Sequence, residues 1–198
     1  MGIRLLHLHL HGLLRSRDLE LGRDADTGGQ TLYVMDLVRS LAKRPEVAQV
    51  DVVTRLVQDS NVAGDYGCPQ EQIVPGARIL RFPFGPDGYL RKELLWPHLE
   101  ELADRLVRHL RRPGPGGDWL HAHYADAGYV GAIVSRRLGI PLIFTGHSLG
   151  REKRRRLLAA GLDLQQVEQS YAMSSRIKAE EQALAQADLV ITSTRQEA

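Results

Sequence analysis

Apolar residues along the chain fall into short runs and longer periodic stretches that alternate, a pattern that predicts strands followed by helices. Ile3–His9 reads as a first strand, and the polar, Gly- and Asp-rich segment His11–Gly28 as the loop after it. In Gln30–Lys43, Leu32, Met35, Leu37, Val38 and Leu41 recur at the spacing of one helix face. Val50–Arg55 is short and β-branched, as a strand is. Cys68–Gly76, with its Pro and Gly, reads as a loop, and Ala77–Phe82 as a strand of weaker pattern. Trp96–Leu110 carries a long helical pattern with charges on its outer face, stopped by the breaker run Arg112–Asp118. Trp119–His123 predicts a strand, Ala127–Leu138 a helix with Gly139 at its C-cap, and Leu142–Thr145 a strand. Ser170–Ala187 predicts a helix and Leu189–Thr192 a last strand.

Strands joined through helices make right-handed crossovers, so the predicted fold is α/β, a Rossmann-like doubly wound parallel sheet in one domain over residues 1–198. Ligands of such sheets bind beyond the carboxyl ends of the strands. Three groups of chemically capable residues fall at those ends: His9 and His11, then His123–Asp126, then Gly146–Ser148. The sequence reaches Ala198 just after a strand, in the middle of the alternation, and reads as truncated.

A content of 43% hydrophobic and 25% charged residues suits a globular domain with its own core. The 26 Lys and Arg are offset by 24 Asp and Glu, and the net charge of +2 argues against an electrostatic nucleic-acid binder. Cys68 is the single cysteine, which excludes an intramolecular disulfide and a thiolate metal cluster. His7, His9 and His11 spoil the apolar start as a signal-peptide core. No run approaches the ~20 apolar residues of a membrane span. The expected location is the cytoplasm, with no membrane partner.

Thr27-Gly28-Gly29-Gln30 opens a helix. Free N–H groups and the helix dipole there suit an anion such as a diphosphate, and Gln30 suits sugar hydroxyls. The same residues read equally as a tight turn with Thr27 as N-cap. Gly146-His147-Ser148-Leu149-Gly150 follows a strand, which puts His147 where it can meet a ligand, with Lys153 three residues on to hold a phosphate. The competing reading is a backbone-bonded loop histidine, with Arg151–Arg156 as a solvated helix face. Asp126 can accept from a sugar hydroxyl or cap the next helix. Arg91, Lys92, Arg176 and Lys178 make a phosphate pocket if they converge with Lys153, and are scattered surface charge if they do not. A His-x-His pair on a first strand also fits a metal-dependent hydrolase. No further histidine or carboxylate set has matching spacing, so His7 and His9 read as packed and hydrogen-bonded, with His11 reaching the cleft.

Asp26-Thr27-Gly28-Gly29-Gln30, Arg81-Phe82-Pro83-Phe84-Gly85, Glu93-Leu94-Leu95-Trp96-Pro97, His123-Tyr124-Ala125-Asp126, Gly146-His147-Ser148-Leu149-Gly150 and the closing Ile191-Thr192-Ser193-Thr194-Arg195-Gln196-Glu197 occur in that order. As a set they resemble the N-terminal domain of the sucrose-phosphate synthase family across nearly the whole chain. The first motif is shared with sucrose synthase, whose acceptor is free fructose; Gly146–Gly150 favours the phosphate-using family. The resemblance implies the N-terminal half of a GT-B fold, with the nucleotide-sugar domain absent. It implies a retaining transferase that passes glucose from UDP-glucose, or another NDP-glucose, to fructose 6-phosphate, giving sucrose 6-phosphate and UDP. It implies that Gly28 and Gly29 meet the donor diphosphate and that His147 lies beside the transferring glucose. Gln30, Tyr124, Asp126 and Ser148 would hold the acceptor, with His11 a weaker match, and Lys92, Lys153 and Arg176 its phosphate. No metal or other cofactor is implied as essential, and nothing in the sequence indicates Mg2+. The half-site alone is expected to be inactive. A stand-alone sugar-phosphate binding module without catalysis is the alternative of a different class.

Overall fold

The computed structural model describes residues 2–112 and 117–192. Seven strands among them form one sheet in the order β3-β4-β2-β1-β5-β6-β7. They are β1 (Ile3–Leu8), β2 (Val47–Arg55), β3 (Gln70–Val74), β4 (Ala77–Phe82), β5 (Trp119–His123), β6 (Leu142–Thr145) and β7 (Leu189–Ile191). All neighbours pair in parallel except β3, which runs antiparallel to β4.

Strand β3 corrects the expected loop over Cys68–Gly76. Only Pro75 and Gly76 turn, with Gly76 at φ +81°, a left-handed value that glycine adopts without strain. The residues before the turn lie at the sheet edge and none is fully buried, with only Ile73 and Val74 packed against the core, so no apolar run marked them. The breaker segment falls partly on 113–116, and most of the closing motif on 193–198, outside the described residues.

Period-two alternation sends successive side chains to opposite faces. Leu6, Leu8, Leu120, Ala122, Leu142 and Phe144 face one side. There they meet α2 (Leu99–Leu110), α3 (Tyr124–Leu138) and α6 (Met173–Gln186). Val50, Val52, Ala77 and Ile79 face the other, under Val34, Met35 and Val38 of α1 (Gly29–Leu41). The doubly wound fold class holds.

Several helix bounds differ from the expected ones. Trp96–His98 is a short 3-10 turn ahead of α2, with Pro97 in its first turn, where a missing N–H breaks no helix bond. Helix α3 begins at Tyr124 rather than Ala127, capped by His123, so Asp126 is not the N-cap. The stretch expected as one helix over Ser170–Ala187 is divided. Asp163 and Gln166 form a capping box that starts α5 (Leu164–Tyr171), and Ala172, at φ +45°, separates it from α6. Gly150–Ala159 forms a further helix, α4, with most of its charges in solvent.

Helices α3 and α6 approach closely at Gly128. A Cβ there would lie 2.6 Å from Phe144 Cε2 and 2.8 Å from the Ala183 Cβ. Overpacking costs about 1–3 kcal/mol, against ~1 kcal/mol of helix propensity gained on replacing glycine. Gly128→Ala is therefore expected to lower stability in urea melts; a variant as stable as the parent would contradict the contact.

Candidate functional site

The carboxyl rim of the sheet gathers the residues that the sequence singled out. Helix α1 opens there with Gly28 as N-cap and no side-chain capping bond. A Cβ on Gly28 or Gly29 would meet nothing within 4 Å. Packing does not require these glycines; the bare backbone leaves the first N–H groups of α1 open to a ligand. Thr27 is not the cap: its Oγ1 accepts from the Leu13 N–H at 3.0 Å. Gln30 Nε2 sits 3.0 Å from His9 Nδ1 and 3.4 Å from the His123 carbonyl, which ties the start of α1 to β1 and β5.

Asp126 is buried and holds His11, with Oδ2 2.7 Å from Nδ1. Its other oxygen accepts from the Ala127 N–H at 2.7 Å. Tyr124, at φ +77°, meets the His11 ring in a T-shaped contact and presents its face to the Arg176 guanidinium, 4.6 Å away. His147, at φ +58°, places Nε2 3.1 Å from His123 Nδ1 and lies beside the exposed Tyr33. Two non-glycine residues in the left-handed region at one rim are the kind of backbone strain that collects at functional sites.

His7, His9 and His123 are buried, and burial, reinforced by neighbouring histidines, holds all three well below the ordinary imidazole pKa. Burial takes His121 down to about 4. These imidazoles are neutral at pH 7. The expectation that no further histidines match the first-strand set is overturned. His7 Nδ1 lies 2.9 Å from His123 Nε2, and one ring nitrogen from each of His7, His121 and His123 lies within 4.8 Å of the others. Sequence spacing concealed this because the parallel pairing of β1 with β5 joins residues 116 apart.

Three cations converge on the same rim. The Arg176 side chain is buried, donating Nε to Glu180 at 3.0 Å and Nη2 to the Ser148 carbonyl and Oγ at 2.6 and 2.8 Å. Lys92 is ion-paired with Asp26 and with Glu93 at 3.2 Å. Burial opposes ionisation of Asp26, but the hydrogen bonds and charge of Lys92 outweigh it and hold the carboxyl below its ordinary value. Lys153 lies 4.2 Å over the Tyr171 ring. Burial, then the charges of Arg176 and Lys92, lower its pKa, so the three cations feel one another. Three carboxylates accompany these cations, Asp26 and Glu93 at Lys92 and Glu180 at Arg176, and Glu93 and Asp26 act on Lys153 in the opposite sense. Lys178 stands apart, in a pocket with Trp96 and Tyr129, and Arg91 is mostly exposed beside Glu93.

Asp26, Glu180 and Tyr33 belong to the site although the sequence reading gave them no role. Glu180 follows Arg176 at i+4, a detectable pairing signal. Asp26 is marked only as the first residue of its motif and Tyr33 not at all, because their partners are distant in sequence. Among the described residues no helix is long and apolar enough to cross a membrane.

The glycosyl transferase 4-like domain family matches residues 28–198. A probable sucrose-phosphate synthase 2 from Arabidopsis thaliana is 44% identical over 96% of this chain and 21% of its own length. A sucrose-phosphate synthase from Spinacia oleracea is 43% identical over the same shares. The chain thus spans about a fifth of these curated relatives. Among solved structures, a sucrose-phosphate synthase from Thermosynechococcus elongatus superposes with a TM-score of 0.76 at 25% identity, covering 98% of this chain and 43% of that one.

Proposed function

Since the chain belongs to the glycosyl transferase 4-like family and has the fold of the GT-B glycosyltransferases, we propose that it forms the acceptor-binding half of a retaining, sucrose-phosphate-forming enzyme. The donor is UDP-glucose or another NDP-glucose, the acceptor fructose 6-phosphate, and the products sucrose 6-phosphate and the nucleoside diphosphate. The observation that carries this reading is the convergence of Lys92, Lys153 and Arg176, from three separate segments, beside the open start of α1.

In this reading the cations hold the acceptor phosphate. Arg176 also orients Ser148, whose hydroxyl, with Gln30 and Tyr124, lines the fructosyl subsite. Asp126 acts through His11, its hydrogen-bond partner. The Gly28 and Gly29 N–H groups and the α1 dipole meet the donor diphosphate and stabilise the charge that grows on it as the glycosidic bond breaks. His147 lies against the transferring glucose and stabilises its charged transition state. As the resemblance implies, no protein nucleophile takes part in this reading.

Calorimetric titration of the chain with fructose 6-phosphate and with fructose tests the reading. Preference for the phosphate ester supports it; equal binding, or binding of neither, overturns the phosphate pocket. In the full-length enzyme, Lys153→Ala is expected to raise the KM for fructose 6-phosphate about 10- to 100-fold, from the ~1.5–3 kcal/mol of a charged hydrogen bond. The lowered pKa of Lys153 sets the sign of the pH effect. The ammonium binds the dianion below that pKa, so affinity falls as pH rises through it, earlier than for an ordinary lysine. An unchanged KM would remove Lys153 from the pocket.

A further inference from the structure

On the α1 face of the sheet, β2 and β4 carry Val50, Val52, Ala77 and Ile79. In the same layer, β1 and β5 carry imidazoles instead. His7 and His121 are register partners, and His123 follows His121 on the same face. All three are buried, with relative exposures of 1%, 5% and 0%. The His7 and His121 ring centroids lie 4.9 Å apart, and those of His121 and His123 4.1 Å. Packing alone does not call for three polar rings where the neighbouring strands use aliphatic side chains.

We propose that His7, His121 and His123 form a binding site for a late divalent transition-metal ion, of the Zn2+ or Co2+ class, seated within the sheet behind the candidate acceptor site. An all-imidazole donor set selects such ions over Mg2+ or Ca2+, which prefer oxygen. Three histidines supply the protein share of a four-coordinate centre, leaving one position for water or another ligand. The nitrogens of His7 and His123 face each other at 2.9 Å, a hydrogen-bonded contact that an ion would replace by opening it to about 3.3 Å, the separation of two nitrogens on one tetrahedral centre.

Two further observations point to a ligand. His7 Nε2 is buried and has no hydrogen-bond partner among the described residues, so His7 can turn toward a cation without giving up a bond at that atom. The other two rings have the outer partners that orient metal-bound histidines: Thr145 Oγ1 stands 2.9 Å from His121 Nε2, and His147 Nε2 stands 3.1 Å from His123 Nδ1. The ion takes no step in the proposed transferase chemistry, although His123 hydrogen-bonds His147 of that site.

The test is titration of the purified, metal-stripped chain with Co2+, followed by visible absorption and by Zn2+ competition. One equivalent of Co2+ with the intense ligand-field bands of a four-coordinate nitrogen site, displaced by Zn2+, is the expected result. His7→Gln and the less enclosed His121→Gln should each weaken binding at least tenfold. Circular dichroism identifies which variants fold, and a folded variant of either kind suffices. Absence of saturable binding to the folded parent overturns the proposal and leaves a stack of neutral hydrogen-bonded imidazoles. Full binding in a folded variant overturns it as well, since the ion then sits on other histidines.

Discussion

Replacing Arg176 by alanine lowers the stability of the chain by about 3–5 kcal/mol, the usual cost of removing one member of a buried ion pair. Arg176 and Glu180 are 2% and 3% exposed, and their side chains meet at 3.0 Å. Without the guanidinium, Glu180 keeps, among the described residues, the Gly150 N–H at 2.7 Å as its hydrogen-bond partner. Burial already raises the Glu180 carboxyl above its ordinary value of 4.5, more strongly than the charge of Arg176 lowers it. Loss of the arginine raises it further. A carboxyl with a raised folded pKa destabilises the native state above that pKa and ceases to do so once protonated. The deficit of the variant is therefore largest at neutral and alkaline pH and shrinks as pH falls through the raised pKa. Urea melts of parent and Arg176→Ala at neutral and mildly acidic pH measure both effects. A difference below about 1 kcal/mol at neutral pH would show that the pair is not buried as described. The same arginine lies over Tyr124 and donates to Ser148, so its loss also loosens the candidate acceptor pocket.

The second large effect concerns His147. In the full-length enzyme, His147→Asn is expected to lower kcat about 100- to 1,000-fold with a small change in KM, as when a group aimed at transition-state charge is removed. Asparagine is the informative replacement because it tolerates the left-handed backbone held at φ +58°. His147→Ala adds backbone strain to the chemical loss, and comparing the two separates them. Turnover within threefold of the parent for His147→Asn would remove the residue from the chemistry. Steady-state rates with fructose 6-phosphate and the nucleotide sugar provide the measurement.

Much of the fold was legible because it rests on periodic signals. The β-branched run of β2 buries one face against the core, and a repeating pattern records that burial. In α1 the periodic reading holds for Met35 and Val38, but Leu32 is exposed, and Thr31 and Val34 take inward positions that it did not mark. Strand β3 escaped because an edge strand buries little and so carries no such pattern. The break at Ala172 escaped because alanine, the residue best suited to a helix, sits there in a left-handed turn that neighbouring caps impose. Asp126 was ambiguous between cap and ligand; its partner, His11, comes from the loop after β1.

By itself, the sequence determined the alternation of strands and helices, and so the carboxyl rim at which His11, Gly28–Gln30, Tyr124 and His147 had to emerge. Burial imposes a period of two or near four on neighbouring residues, and a period can be read from a string of letters. Only the tertiary structure decided that Lys153 feels Arg176 and Lys92, that Lys178 lies elsewhere, and that His7 meets His121 and His123. Charge and hydrogen bonding act over a few ångströms of space, and the crossovers of a parallel sheet bring together residues more than a hundred positions apart. No local pattern encodes such a meeting.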